Sequence, residues 1–494
     1  MRRRLSSAVI LAALLGAAAP AVAAVDYAGF LSVAGNASDL SGLSGPNGSR
    51  LSFGSDLFYD KARDEYYGIT DRGPGGGLID YAPRVNVFKL DVNSSTGAVS
   101  NFQQQRTIVF KGPDGQPLSG LNPGLLPGGN SATLGKSFDS EGFVLRANGN
   151  FLVSDEYGPS IYEFKSDGTY VRAFTTPANI VPKTAGGTTN YVDGRPTITT
   201  GRQDNRGFEG LTLSRDGKTA FAVLQDPLVN EGAQLDGRRS RNVRIVSFNV
   251  ATGVANGQFI YQLEAIADIN GRIPGTSNDF SATNQGRSIG VSAIYALKDG
   301  KFLVIERDNR GIGVDDPNGV INTIGSKRIY LIDINNATDV SAISLAGSNG
   351  LPDGVTAVTK TLFLDINAAL SAAGVTIGEK IEGLTIGRDI DGGVSLMLAT
   401  DNDFSVTQTG AGTQFDICTS GRGAGSNSQI AFGGVCPTGQ SLLPSYVYSF
   451  AVTGADAAAL AVPEPATWAL MIGGFGMVGG AMRRRASAVT QPAV

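Results

Sequence analysis

Ser137-Phe138-Asp139-Ser140-Glu141-Gly142-Phe143-Val144-Leu145-Arg146-Ala147-Asn148-Gly149-Asn150-Phe151-Leu152-Val153-Ser154-Asp155-Glu156 sets two apolar runs on either side of an Asn-Gly step. That is the pattern of a β-hairpin. In an antiparallel pair the start of the first strand lies beside the end of the second. The hairpin therefore brings Glu141 and Asp155 to one edge. The same arrangement recurs outward along the chain. Glu209-Gly210 runs to Asp226 about Asp216-Gly217, and Glu382-Gly383 runs to Asp401-Asn402-Asp403 about Asp391-Gly392. A fourth unit has Ser292-Ala293 before Glu306-Arg307-Asp308 about Asp299-Gly300. A fifth has Ser55-Asp56 before Asp71-Arg72 about a looser turn from Lys61 to Asp64. Repeated around a closed array, these hairpins put a ring of carboxylates on one face.

After each acidic strand end comes a loop and then an outer strand: 84–90, 160–164, 242–248, 327–332 and 446–450. Most are followed by a turn signal and a further polar strand, so each unit has three or four antiparallel strands. The reading is all-β, a β-propeller over residues 25–455 with six blades, within a range of five to seven. Five blades are visible, and a further one is expected in 101–134 or 341–364. The intervals between units exceed a compact blade, so long insertions are expected. A β-sandwich explains the turn spacing but not the repeated acid; a β-helix needs a much shorter period. Only 364–373 has helical periodicity longer than a turn or two. Insertions at 227–241, 309–325 and 404–444 all leave from the acidic edge, so long loops and carboxylates share a face, where binding usually resides.

Of 494 residues 67 are Gly, 41% are apolar and none is His. The glycine content suits a turn-rich β protein. The absence of imidazole excludes Ser-His-Asp triads and His-ligated zinc or iron. It also removes any activating base for Ser288 in Gly286-Arg287-Ser288-Ile289-Gly290. Gly474-Phe475-Gly476-Met477-Val478-Gly479 spells a dinucleotide fingerprint but lies in an apolar tail rather than after a strand, so no nucleotide cofactor is expected. Cys418 and Cys436 are the only cysteines, and in an exported chain they are expected to pair.

Both ends read as address labels. Arg2-Arg3-Arg4, an apolar run and Ala21-Val22-Ala23 make residues 1–24 a signal peptide. Residues 456–494 hold a linker, then Pro463-Glu464-Pro465, an apolar stretch 466–482 and Arg483-Arg484-Arg485. As physics the stretch is a short transmembrane helix with a positive stop. As a pattern it resembles the PEP-CTERM sorting signal of Gram-negative bacteria, with Trp468-Ala469 matching its Trp-Ala variant. The resemblance implies an exosortase-type partner, transient tethering to the membrane, and a destination in the periplasm, at the cell surface or in the extracellular matrix. The competing reading is a permanent anchor. Six of 40 basic residues lie in the signal peptide and the stretch from Pro463 onward, against one of 44 acids (Glu464), which leaves about −9 between them. Such a chain is a poor nucleic-acid binder and a plausible binder of hard cations.

The segments Ser137 to Gly142, Ser154-Asp155-Glu156-Tyr157-Gly158, Asn205 to Leu211, Glu306-Arg307-Asp308 and Lys380-Ile381-Glu382-Gly383-Leu384 resemble the bacterial phytase-like family, "esterase-like activity of phytase". The resemblance implies a propeller and kinship with calcium-dependent phosphoesterases. The residues point the same way: converging carboxylates without His favour calcium or magnesium. The expected metal ligands are Asp139, Glu141, Asp155, Glu156, Glu209, Asp226, Glu306, Asp308, Glu382 and Asp401. Arg72, Arg206, Arg307 and Arg310 stand beside them and suit phosphate or another anion. At any single position a turn-capping acid or an ion pair between blades competes with ligation; recurrence at one structural position favours a shared site. The leading reading is a calcium-dependent phosphoesterase acting on a phosphorylated small molecule. A lactonase-type propeller and a non-catalytic module binding extracellular polysaccharide are the alternatives.

Overall fold

The computed structural model describes residues 24–45, 47–315, 323–410, 412–421 and 426–460. Residues 1–23 of the expected signal peptide and the sorting segment from Ala461 onward lie outside them. Among the described residues no helix is long and apolar enough to cross a membrane.

The chain opens with β1 (Ala24–Val33). The first sheet is β2 (Asp56–Asp60), β3 (Glu65–Ile69), β4 (Arg84–Val92) and β5 (Val99–Val109). The second is β6 (Ser140–Leu145), β7 (Phe151–Asp155), β8 (Ser160–Phe164) and β9 (Tyr170–Ala173). A ribbon of β10 (Lys183–Thr184) and β11 (Ile198–Thr200) precedes the third sheet. That sheet is β12 (Phe208–Leu213), β13 (Thr219–Leu224), β14 (Asn242–Asn249) and β15 (Val254–Gln262). The fourth is β16 (Ile289–Ala296), β17 (Lys301–Asp308), β18 (Lys327–Asp333) and β19 (Thr359–Asp365). The last begins with β20 (Lys380–Ile390) and β21 (Gly393–Asp401). An inserted sheet follows: β22 (Val406–Thr409), β23 (Thr413–Thr419), β24 (Asn427–Ala431) and β25 (Ser441–Leu442). Then β26 (Ser445–Thr453) returns to β21, and β1 covers its outer edge in the order β20-β21-β26-β1. The first and last strands of the chain thus share a sheet.

The propeller reading holds. Five four-stranded antiparallel sheets of this kind stand among the described residues. Their inner strands adjoin in the order β2, β6, β12, β16, β20 and back to β2. Residues 101–134 and 341–364, where a further blade was expected, instead hold outer strands β5 and β19 and irregular chain. The expected helix is present at Ile366–Ala373, capped by Asp365 at its start and by Gly374 at its end. The long insertion 404–444 forms the extra sheet, closed by a Cys418–Cys436 disulfide with Cα atoms 5.7 Å apart.

The core lies between sheets. Tyr67, Val85, Phe143, Phe151 and Val153 fill one interface, and Leu211, Ala222, Val291 and Val304 another. Each such large apolar side chain contributes about 1.5–3 kcal/mol by leaving water.

A candidate metal and anion site on the propeller axis

The Glu-Gly steps are β-bulges. In the second sheet Ser140 pairs Asp155 and Phe143 pairs Val153, so Glu141 is the extra residue. Glu209 in β12, Ser292 in β16 and Glu382 in β20 occupy the same position. A bulge re-aims its side chain. The three glutamates are turned into a common cavity and are buried. Each following glycine lets the ring close. A Cβ on Gly142 would lie 2.4 Å from the Leu211 nitrogen on the next inner strand, and one on Gly210 2.8 Å from the Ile294 nitrogen. In β2 the pairing is unbroken. There Asp56 uses its carboxylate to accept from the Phe143 N–H of the next strand at 2.8 Å.

The cavity measures roughly 240 Å³ and is polar. Three carboxylate triplets overlap at its base: Asp71, Asp139 and Glu141; Asp71, Asp401 and Asp403; and Glu141, Glu156 and Glu209. Within each, one oxygen per residue lies within 4.8 Å of the others, the spacing a shared cation requires. Burial raises the Asp71 carboxyl well above the usual range, and Asp401 and Asp139 raise it further. Burial does the same to Glu141, reinforced by Glu209, and to Glu209, reinforced by Glu156 and Glu382. Asp139 is pushed up to about 7 by burial, with Arg72 opposing. Asp403 is pushed to about 6 by burial, with Lys380 opposing. These are like charges held close in a dry place. Asp139 Oδ2 and Gln225 Oε1 are buried without a hydrogen-bond donor, although an Arg72 guanidinium nitrogen stands 3.3 Å from the former.

Four cations line the same cavity. Arg72 pairs with Asp139, Arg206 lies 3.0 Å from Asp226, and Arg307 pairs with Glu382. Lys380 reaches Asp403 at 2.5 Å and Asp401 at 3.7 Å. Asp403, Phe404 and Ser405 have φ of 45°, 57° and 61°, a left-handed run without glycine. Such strain persists only where the surroundings fix it. Here the Phe404 ring is buried against Tyr81, 4.7 Å between centroids. Thr407 and Gln408 of β22 and Gly75 and Gly76 of the β3–β4 loop complete the wall.

Of the acids expected to ligate, Asp139, Glu141, Glu156, Glu209, Glu382 and Asp401 converge on this region. The others do not, and each has a physical reason. Asp155 accepts from the Asp139, Tyr157 and Gly158 N–H groups, so it shapes the turn that carries its neighbours. Asp226 is held by Arg206 and Arg287 beside the cavity. Glu306 is satisfied by Tyr261 at 2.7 Å, the Glu264 N–H at 2.8 Å and Lys360 at 2.5 Å. Asp308 accepts from the N–H groups of Arg310, Gly325 and Ser326 and pairs with buried Lys327. Arg310 stacks 3.6 Å from the centre of the Phe280 ring, away from the cavity wall. Asp71, Asp403, Lys380, Gln225, Asn205 and Asp315 were outside the expected set. Asp71 stood at the repeated strand-end position and Asp403 two residues past Asp401, so both were within reach of the pattern.

Comparison with known proteins adds five findings. A family model described as "Esterase-like activity of phytase" matches residues 50–404. A second, the PEP-CTERM protein-sorting motif, matches residues 461–485. An "Uncharacterized secreted protein" of Arthroderma benhamiae is 29% identical over 350 residues, 61% of this chain and 66% of that protein's length. Among solved structures, a luciferin-regenerating enzyme overlaps at TM-score 0.28 and 10% identity, covering 88% of this chain and 100% of its own. The hydrazine synthase of Kuenenia stuttgartiensis overlaps at 0.23 and 9%, covering 67% and 78%. Overlaps this slight carry no argument.

Proposed function

Since the chain belongs to the phytase-like family and carries the sorting motif of exported proteins of Gram-negative bacteria, we propose that it is an extracellular calcium-dependent hydrolase of anionic esters, with phosphoesters the leading class. The observation that carries this reading is the coincidence, in one cavity, of three overlapping carboxylate triplets with Arg72, Arg206, Arg307 and Lys380. Carboxylates alone suit any cation site, and arginines alone suit any anion. Together they suit a cation and an anion held side by side.

The donor set fits a hard divalent metal. Every acid in the triplets offers oxygen, several come from different sheets, and the buried Gln225 Oε1, which has no hydrogen-bond donor, is a further oxygen donor already freed from solvent. The ligands named are Asp71, Asp139, Glu141, Glu156, Glu209, Asp401 and Asp403. A bound cation of this kind supplies Lewis-acid polarisation of an ester oxygen and a lowered pKa for its water. The chain's own residues supply the rest. Arg72, Arg206 and Arg307 present planar donors toward a doubly charged oxyanion, Lys380 presents a point charge, and the β22 wall limits access of solvent. A lactonase-type site calls for few arginines around the cavity, and this one has three.

Phosphate release from p-nitrophenyl phosphate and from phytate, with calcium and then with EDTA, tests the proposal. Turnover that requires calcium and falls by at least an order of magnitude on Arg307→Gln supports it. A folded, calcium-loaded sample that releases no phosphate from either substrate overturns it and leaves the polysaccharide-binding reading in front.

A further inference from the structure

The two ends of the described chain leave the propeller at one place, and it is the face opposite the acid cavity. Strand β26 runs from Ser445 beside the acidic edge to Thr453, where it pairs Gly393 at the hairpin turn of β20 and β21. Strand β1 starts there too, with Ala24 paired to Thr453. The helix Gly454–Leu460 then packs against β1, β21 and β26. From Leu460 five residues, 461–465, lead to the apolar stretch that begins at Ala466.

Lengths decide what this means. Five residues span at most about 18 Å even fully extended. Nine-residue β26 separates the exit face from the acidic edge by about 30 Å. A body held on so short a leash cannot turn its acidic mouth to the surface from which the leash emerges. The axial cavity on the exit side differs in kind as well. It measures roughly 430 Å³ and is lined by Phe58, Phe143, Leu145, Leu213 and Ile294.

We propose that, while its C-terminal segment is inserted, the protein stands with the face of its hairpin turns on the membrane and its acid cavity pointing away, open to soluble substrate before any sorting cleavage. The partner of the exit face is the bilayer surface itself. The inference rests on the apolar segment crossing the membrane and is independent of whether the cavity is catalytic.

The test uses the full chain in phosphatidylethanolamine–phosphatidylglycerol vesicles that carry a nitroxide quencher on the headgroup. Cys418 and Cys436 are bonded to each other, so a single introduced thiol takes the fluorophore. Lys298→Cys places it on a hairpin turn of the exit face. Leu125→Cys and Leu235→Cys place it on exposed loops of the acidic face. The expected result is severalfold stronger quenching at 298 than at 125 and 235, with calcium binding unchanged on insertion. Lengthening the linker by about twenty Gly/Ser residues, which converts the leash to a flexible coil, should erase the difference. Equal or reversed quenching overturns the orientation. Failure of the full chain to float with the vesicles overturns the tether on which it depends.

Discussion

In the third sheet Glu209 stands on its bulge with one glutamine amide for a partner and other carboxylates around it. In the fourth sheet the bulge holds Ser292, and the strand-end acids Glu306 and Asp308 are each surrounded by donors: Lys360 and Tyr261 for one, Lys327 and three backbone N–H groups for the other. Both sheets carry a carboxylate at the same strand end in sequence. What separates Glu306 and Asp308 from Glu209 is that the fold brings each of them a lysine within ion-pairing distance. Lys327 and Lys360 neutralise the fourth sheet internally. The acids of the triplets have fewer positive neighbours than negative charges, and that imbalance is what an external cation would correct.

The comparison is sharpest where a lysine is removed. Lys327 is fully buried and bridges the Asp308 carboxylate to the Asp308 and Glu379 carbonyls. Lys327→Met should cost about 3–5 kcal/mol in denaturant unfolding, because it leaves an uncompensated buried charge. A loss under 1 kcal/mol would place the fourth sheet in the same class as the third. Calcium should not rescue this variant beyond what it gives the parent.

A smaller effect is expected at the ring of glycines. Gly142→Ala drives a methyl against the Leu211 backbone and should cost about 1–3 kcal/mol while displacing Glu141. Ala293 already stands at this position in the fourth sheet, so Ala293→Gly is expected to change stability by less. Thermal melts of the pair, with and without calcium, check both.

Smaller again, and opposite in sign to ordinary acid denaturation, is the pH response of the metal-free protein. Asp139 is raised to about 7, and Asp226 and Asp403 to about 6, by burial above all. An unfolded Asp titrates near 3.9. Between these values the folded state binds more protons than the unfolded one, so stability falls as pH rises from about 4 through about 7. Unfolding measured across that window in EDTA should show the decline, and saturating calcium should flatten it.

Much of this was legible in the sequence, and the reasons for the rest are physical. The Glu-Gly step and the Asn-Gly or Asp-Gly turn are local, so hairpins, bulge acids and their common edge could be read from a few residues at a time. The partners of Glu306 and Asp308 could not. Lys360 lies on β19, and Lys327 lies beyond a long loop; no spacing rule ties either to its acid. Arg310 looked like an anion-binding residue because it stands after Asn309, two residues past Asp308, but a ring from another segment, Phe280, holds it. Residues 404–444 read as one long loop because their strands are short and lack a steady alternation. The closing of the last sheet by β1 was invisible for another reason: it pairs residues at opposite ends of the chain.

The most direct measurement of the central claim is the melting temperature of the mature protein titrated with calcium. A ligand that binds the native state alone raises stability by mass action. Calcium should therefore raise the melting temperature, EDTA should reverse the rise, and Glu209→Gln combined with Glu141→Gln should blunt it while leaving the metal-free protein no less stable than the parent. A cleanly folded sample whose melting curve is the same in calcium and in EDTA would contradict the account.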